Sequence, residues 1–135
     1  MRWWTTSLLL LLLGACAPQP PPASSCPEGL KPALQVDLYF GRNTPRGEVT
    51  ETEWAKFLAD EVTPRFPDGL SVFDVAGQYR EPPGQITRER TKLLVVVVFD
   101  APGHEPQIKA VMDAYARRFA QHSVFRVEHP VCAGA

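Results

Sequence analysis

Cysteine and histidine are scarce in this chain, and their spacing provides no metal site. The 135 residues contain three cysteines and three histidines. No Cys-x-x-Cys pair occurs, and no two histidines stand at the spacing by which one helix holds a zinc ion. We therefore expect no metal and no cofactor.

An excess of positive charge is also lacking. Lysine and arginine number 14 and aspartate and glutamate 15, which gives a formal net charge of -1. A basic surface is what attracts a phosphate backbone, so we expect no nucleic-acid partner. The glycine-containing motifs of serine hydrolases, dinucleotide-binding folds and P-loops are missing as well.

No apolar run is long enough to cross a bilayer. The leucine run at residues 8–13 is far below the roughly 20 residues that a transmembrane helix needs. It follows a charged start at Arg2 and precedes the small residues Gly14 and Ala15. This pattern predicts a secretory signal peptide over residues 1–15.

The end of that peptide, Leu13-Gly14-Ala15-Cys16, resembles the bacterial lipoprotein signal. The resemblance implies cleavage before Cys16 and acylation of Cys16, so that the mature chain is held at the membrane by its lipid. Ala17, which is not aspartate, implies the periplasmic side of the outer membrane in a diderm bacterium. The alternative is an ordinary secretory signal followed by an unrelated cysteine.

Residues 16–33 are predicted to form a lipid-anchored linker. Prolines are concentrated between residues 18 and 22, and such a segment favours extended polyproline conformations. Residues 34–132 then suit a single domain, because domains commonly contain about 100 to 150 residues.

Cys26 and Cys132 are predicted to form a disulfide. An exported protein occupies a compartment in which thiols pair, and Cys16 is reserved for the lipid. Two catalytic thiols are the alternative, but neither cysteine has an evident activating neighbour.

Hydrophobic periodicity predicts the order strand, helix, strand, strand, helix, strand. The strands are expected at residues 34–40, 70–80, 91–99 and 123–128, and the helices from Thr50 to just before Pro64 and over residues 106–119. A bulge is expected at Gly77. This order predicts an α+β, ferredoxin-like βαββαβ domain, in which two helices cover one face of a four-stranded antiparallel sheet and the first and third strands are central.

The other face of that sheet is expected to be open and to collect polar side chains. Asp37 and Asp74 are candidate bases, Tyr39 is a candidate stacking group or hydrogen-bond donor, and Arg80 and Arg126 are candidate anion ligands. Gln35, Gln78 and Glu128 are expected beside them. The alternative is a solvated sheet face with no ligand.

Two further features point to contacts outside the domain. Arg42 and Arg46 lie just before a predicted helix N-terminus, a location that favours anions. The third strand is apolar at every position from Leu93 to Val98. Its outward side would therefore meet water unless something covers it, and a homodimer through the open face is the simplest cover.

The segments at residues 38–42, 49–54, 66–70 and 77–80 resemble the domain-of-unknown-function family 3574, which comprises small exported bacterial proteins. The resemblance implies an envelope setting and a compact domain, and its matching positions Arg42, Gln78 and Arg80 become site candidates. We expect a binding or assembly module. The alternatives are a small dimeric enzyme similar to α+β barrel monooxygenases or isomerases, and a purely structural spacer.

Mass spectrometry of the mature protein tests the lipid anchor. We expect the chain to begin at an acylated Cys16, because the resemblance implies acylation and cleavage at this residue. A mature protein with an unmodified Cys16 would remove the anchor.

Overall fold

The computed structural model describes residues 26–135. Its elements are β1 (Lys31–Gly41), β2 (Asn43–Thr44), β3 (Gly47–Glu48), α1 (Glu51–Phe57) with a π-helical extension (Leu58–Val62), β4 (Ser71–Glu81), β5 (Gln85–Val98), α2 (Ala101–Phe119) and β6 (Phe125–Ala133). The predicted signal peptide, the acylation site Cys16 and the predicted linker up to residue 25 lie outside the described residues. None of the helices in the described part combines the length and apolar character needed to cross a membrane.

One antiparallel sheet has the strand order β4-β5-β1-β6. Val36, Leu38 and Phe40 of β1 are fully buried, as are their neighbours on the same side of β5. Trp54 of α1 and Tyr115 of α2 both lie against Phe40, so both helices cover the same side of the sheet. The predicted α+β, ferredoxin-like arrangement with β1 and β5 at the centre is confirmed.

The start of α1 follows from its sequence. The Thr50 hydroxyl accepts a hydrogen bond from the Glu53 amide at 3.2 Å, and the Glu53 carboxylate accepts one from the Thr50 amide at 2.8 Å. This reciprocal capping box satisfies amide groups that the first helical turn leaves free. Val49 and Trp54 are both buried beside it, which fixes the direction in which the chain enters the helix.

An aromatic cluster forms the centre of the core beneath the helices. Phe40 lies 4.7 Å from Tyr115 and 5.3 Å from Trp54 between ring centroids, and Phe57 lies 5.1 Å from Tyr115. The Tyr115 hydroxyl donates a hydrogen bond to the Gly41 carbonyl at 2.8 Å, and burial raises the pKa of this phenol. One polar contact therefore attaches α2 to the end of β1 within an otherwise apolar cluster.

The disulfide between Cys26 and Cys132 is confirmed, with 5.5 Å between the Cα atoms. It closes a loop with a sequence separation of 106 residues, for which the chain-entropy model gives about 4 to 5 kcal/mol of stabilisation. The core described above and the disulfide both lie within residues 26–135.

Several of the predicted strands are too short. Antiparallel pairing extends β1 back to Lys31 and β6 on to Ala133, so the last residues of the predicted linker belong to the sheet. β5 begins at Gln85 because it continues a long hairpin with β4. Pairing along that hairpin is uninterrupted past Gly77, so the predicted bulge is wrong. The predicted loop before α1 contains the short β2–β3 hairpin, in which Gly47 has a φ of 120°.

Candidate functional site

The side of the sheet that faces away from the helices is uncovered in the described part of the chain, and we call it the open face. Val36, Leu38 and Phe40 point to the helices, so the alternate residues Gln35, Asp37 and Tyr39 point to the open face. Strand register extends this assignment across the sheet, because directly paired residues of antiparallel strands share a face. The name covers the central part of that side, which comprises Gln35, Asp37, Tyr39, Phe73, Val75, Leu93, Val95, Val97, Phe125, Val127 and His129. Beyond it, the same alternation continues to Lys31 at one end of the sheet and to Tyr79, Glu81 and Glu89 at the other.

Apolar side chains dominate this surface. Phe73 is 53% exposed, Val97 40% and Phe125 67%. Tyr39 packs against Phe125, with ring centroids 5.8 Å apart. Contiguous exposed apolar groups of this kind are uncommon on a monomer and usually mark a contact surface.

Three polar side chains form a small group within the apolar surface. The Gln35 amide donates a hydrogen bond to Asp37 Oδ1 at 2.8 Å, and His129 Nε2 lies 3.5 Å from Asp37 Oδ2. Asp37 is only 8% exposed, whereas His129 is exposed. This Gln35–Asp37–His129 group joins a carboxylate to an imidazole, a combination able to accept and donate a proton.

Asp37 and Tyr39 lie on the open face as predicted, but four other candidates do not. Asp74 pairs with Lys92, and Gln78 and Arg80 share its side of β4. Arg126 pairs with the fully buried Leu38. The placement of Asp74, Gln78, Arg80 and Arg126 on the open face is therefore wrong, as it is for Glu128; a role for them in ligand binding stays a prediction.

For Asp74, Gln78 and Arg80 the error arises from β4, an edge strand that buries little on either side. Phe73 and Val75 suggest a core face by their type, yet Leu70 and Val72 are the residues that pack against the core. A shift of one residue in this assignment exchanges the two faces of a strand.

On the helix side, Lys92 is held between two carboxylates. Its ammonium group lies 2.8 Å from Glu51 and 2.6 Å from Asp74. Burial alone would lower the pKa of Lys92, but the hydrogen bonds to Asp74 and Glu51 outweigh it and the pKa is raised. Lys92 therefore stays protonated and is unsuited to act as a nucleophile.

Arg42 is buried next to this lysine. Its guanidinium donates to the Val49 carbonyl at 2.8 Å and to Glu51 at 2.7 Å, and it lies 3.2 Å from Glu48. These contacts attach the β2–β3 hairpin to the start of α1. The predicted anion at Arg42 would have to displace a carboxylate, so the geometry gives Arg42 a structural role.

Arg126 has a similar role at the other edge of the sheet. Its guanidinium makes two hydrogen bonds to Glu105, at 3.0 and 2.6 Å, and a further one to Glu128. The hydrogen bonds to Glu105 raise the pKa of Arg126, which remains charged. β6 is thereby joined to the first turns of α2 through a bidentate ion pair.

A cleft of about 730 Å³ lies where β4 begins and β5 ends. Its apolar wall includes Leu70, Val95 and Val97, and its polar groups include Asp100 and His104. Because Val95 and Val97 also belong to the open face, the cleft continues that surface. None of the predicted site residues lines this cleft. The sequence contained one indication of it, because Val97 lies in the apolar strand whose outward side was expected to need a cover.

His129 was missed as a partner of Asp37, although it continues the alternation of Phe125 and Val127 in β6 and so could have been assigned to their face. Across residues 26–135, no three histidine, cysteine, aspartate or glutamate side chains cluster in a way that could hold a metal ion.

Comparison with protein families identifies the family of this chain. The family described as protein of unknown function (DUF3574) matches residues 35–134. The chain belongs to this family. The matched segment of this DUF3574 protein contains the whole open face, and no curated protein matches the chain.

Solved structures with similar folds include a phage SAM lyase. Its complex with S-methyl-5'-thioadenosine is 15% identical, covers 83% of the DUF3574 chain and 95% of its own, and has a TM-score of 0.56. The apo form is 14% identical, covers 84% and 96%, and also has a TM-score of 0.56. CutA1 from Oryza sativa is 8% identical, covers 80% and 87%, and has a TM-score of 0.49. At these identities the likeness concerns the fold alone.

Lys92→Met tests the charged contacts on the helix side. Hydrogen bonds from Lys92 hold the pKa values of Glu51 and Asp74 below their ordinary values of 4.5 and 3.8. Their ionised forms therefore stabilise the fold above those values, and this contribution disappears as the pH falls through the lowered pKa values. We expect urea unfolding to show a smaller loss of stability in the variant than in the wild type between about pH 5 and pH 2.

Lys109→Met is the matched control, because Lys109 is an exposed lysine that contacts Asp113 on the same helix. It should retain the wild-type pH dependence. Coinciding pH dependences for Lys92→Met and the wild type would show that Lys92 does not set the acid stability.

Proposed function

We propose that this protein is a lipid-anchored binding or assembly module of the bacterial cell envelope, and that the open face is its contact surface. The single observation that carries the proposal is the exposure of Phe73, Val97 and Phe125 on one side of the sheet. Complete burial of such a side chain is worth about 1.5 to 3 kcal/mol; since these are 40 to 67% exposed, a bound partner would supply roughly half of that for each.

The distribution of charge supports the same surface. Arg42, Lys92 and Arg126 are engaged by carboxylates of the protein itself on the helix side. The open face instead offers apolar area with one small polar group, which is the composition of the central part of a protein interface. Recognition by a partner would then depend on shape and on the Gln35–Asp37–His129 group.

Site-specific photocrosslinking in living cells tests the module. A photoreactive side chain at Val97 or at Phe125 is expected to give crosslinked products of defined mass. The same group at Arg117, which is exposed on α2, serves as the control and should give none. Products of equal yield from all three positions, or from none, would contradict a contact through the open face and favour a structural spacer.

A small dimeric enzyme is the second candidate, and the Gln35–Asp37–His129 group favours it. A carboxylate paired with an imidazole on an apolar surface has the elements of an acid-base site. The phage SAM lyase that shares this fold was solved with S-methyl-5'-thioadenosine, which makes this thionucleoside a reasoned first ligand to try.

Titration calorimetry with S-methyl-5'-thioadenosine tests the enzyme candidate. If the open face binds it, we expect a dissociation constant in the micromolar range and at least a tenfold weakening in Asp37→Asn, which removes the carboxylate charge, corresponding to about 1.4 kcal/mol. Asp113→Asn, on the far side of the molecule, is the control and should leave binding unchanged. Without measurable heat at millimolar ligand, this thionucleoside is excluded.

A further inference from the structure

We propose that the open face is covered by a second copy of this chain, so that two sheets pack face to face in a homodimer. The inference rests on the proposed function, because it names the partner of the same surface. Three properties of the surface favour this occupant: its size, its near absence of charge, and its arrangement of protruding and recessed side chains.

The size of the open face suits a sheet rather than a small molecule. Strands lie about 4.8 Å apart; β1 pairs with β5 along the whole of Thr91–Val98, and β4 and β6 flank parts of this span, which gives a projected area on the order of 400 Å². Protruding aromatic rings raise the accessible area above this projection. In projection the surface reaches about half of the roughly 800 Å² that each partner contributes to a stable protein interface, and the protruding side chains add to this area.

The charge of the open face permits contact with its own copy. Within the open face, Asp37 and His129 are the charged or titratable groups, apart from the Tyr39 phenol, and they lie side by side. Lys31 and Glu89 lie on the same side of the sheet but beyond the open face, at opposite ends. Two such faces therefore meet without a set of like charges opposite one another. The helix side carries exposed charges on α1 and α2, among them Lys56 and Lys109. A second copy would have to remove water from these charges in order to pack there, which disfavours the helix side as the contact.

The arrangement of protruding and recessed side chains on the open face suits sheet-on-sheet packing. Phe73 in β4 and Phe125 in β6 project from the two edge strands, whereas Leu93 and Tyr39, which lie between them in the register, are partly buried. Packed sheets lie about 10 Å apart and interdigitate large and small side chains in this way.

In such a dimer the Gln35–Asp37–His129 group becomes enclosed between the two sheets. A polar group buried in an apolar contact costs free energy in every arrangement of the two sheets that leaves the group without hydrogen-bond partners. The group would thus select one arrangement of the two sheets among several that bury similar apolar area. The cleft at Val95 and Val97 would open at the margin of this interface.

Sedimentation equilibrium tests the homodimer. The sample is residues 17–135, without lipid and with the disulfide formed, at about 1 to 100 µM. Dissociation constants in this range can be measured for a dimer with an interface of standard size. We expect the wild type to approach twice the monomer mass within this range. Val97→Glu places a charge within the contact and should raise the dissociation constant at least a hundredfold. Phe73→Ser, which shortens an exposed side chain, should weaken the dimer in the same direction.

Arg117→Glu changes an exposed residue of α2 and should leave the dimer intact, and circular dichroism of every variant should report the wild-type fold. A wild type that remains monomeric at 100 µM would overturn the homodimer, as would a dimer that Val97→Glu and Phe73→Ser leave unchanged. If the wild type is monomeric while crosslinking through Val97 still captures a different envelope protein, the homodimer fails and the proposed binding function stands.

Discussion

The pairing of β1 with β5 at the centre of the sheet is the constraint on which the rest of the structure depends. Leu38 lies opposite Leu94 and Val36 opposite Val96, and all four are buried beneath the helices. Because side chains alternate along a strand, this register also determines which residues face away from the helices. The aromatic core on one side and the open face on the other are two consequences of the same register.

The fold could be predicted from the sequence where local signals and burial agree. Thr50 and Glu53 mark the start of α1 by a hydrogen-bonding pattern that needs no tertiary context. The apolar run in β5 identifies a central strand, and Cys26 and Cys132 were the thiols left to pair. Strand lengths were harder to predict, because β1 and β6 extend each other through backbone pairing that does not depend on side-chain type.

The candidate site was predicted less well, because edge strands carry a weak alternation. In β4, Phe73 is exposed while Val72 contacts the core, so residue type misleads about direction. Asp74 and Arg126 also find partners that are distant in sequence, Lys92 and Glu105. Only the three-dimensional arrangement reveals that these charges stabilise the protein itself, which leaves the open face to apolar groups and the Asp37–His129 pair.

The covalent bond between Cys26 and Cys132 has a mechanical consequence. Tension that reaches the domain from the residues before Cys26 divides at this bond between β1 and β6, which are hydrogen-bonded neighbours. The pull is then borne by both strands together instead of peeling β1 away from β6. The route by which the chain enters the domain therefore makes the sheet resistant to unzipping from its N-terminal end.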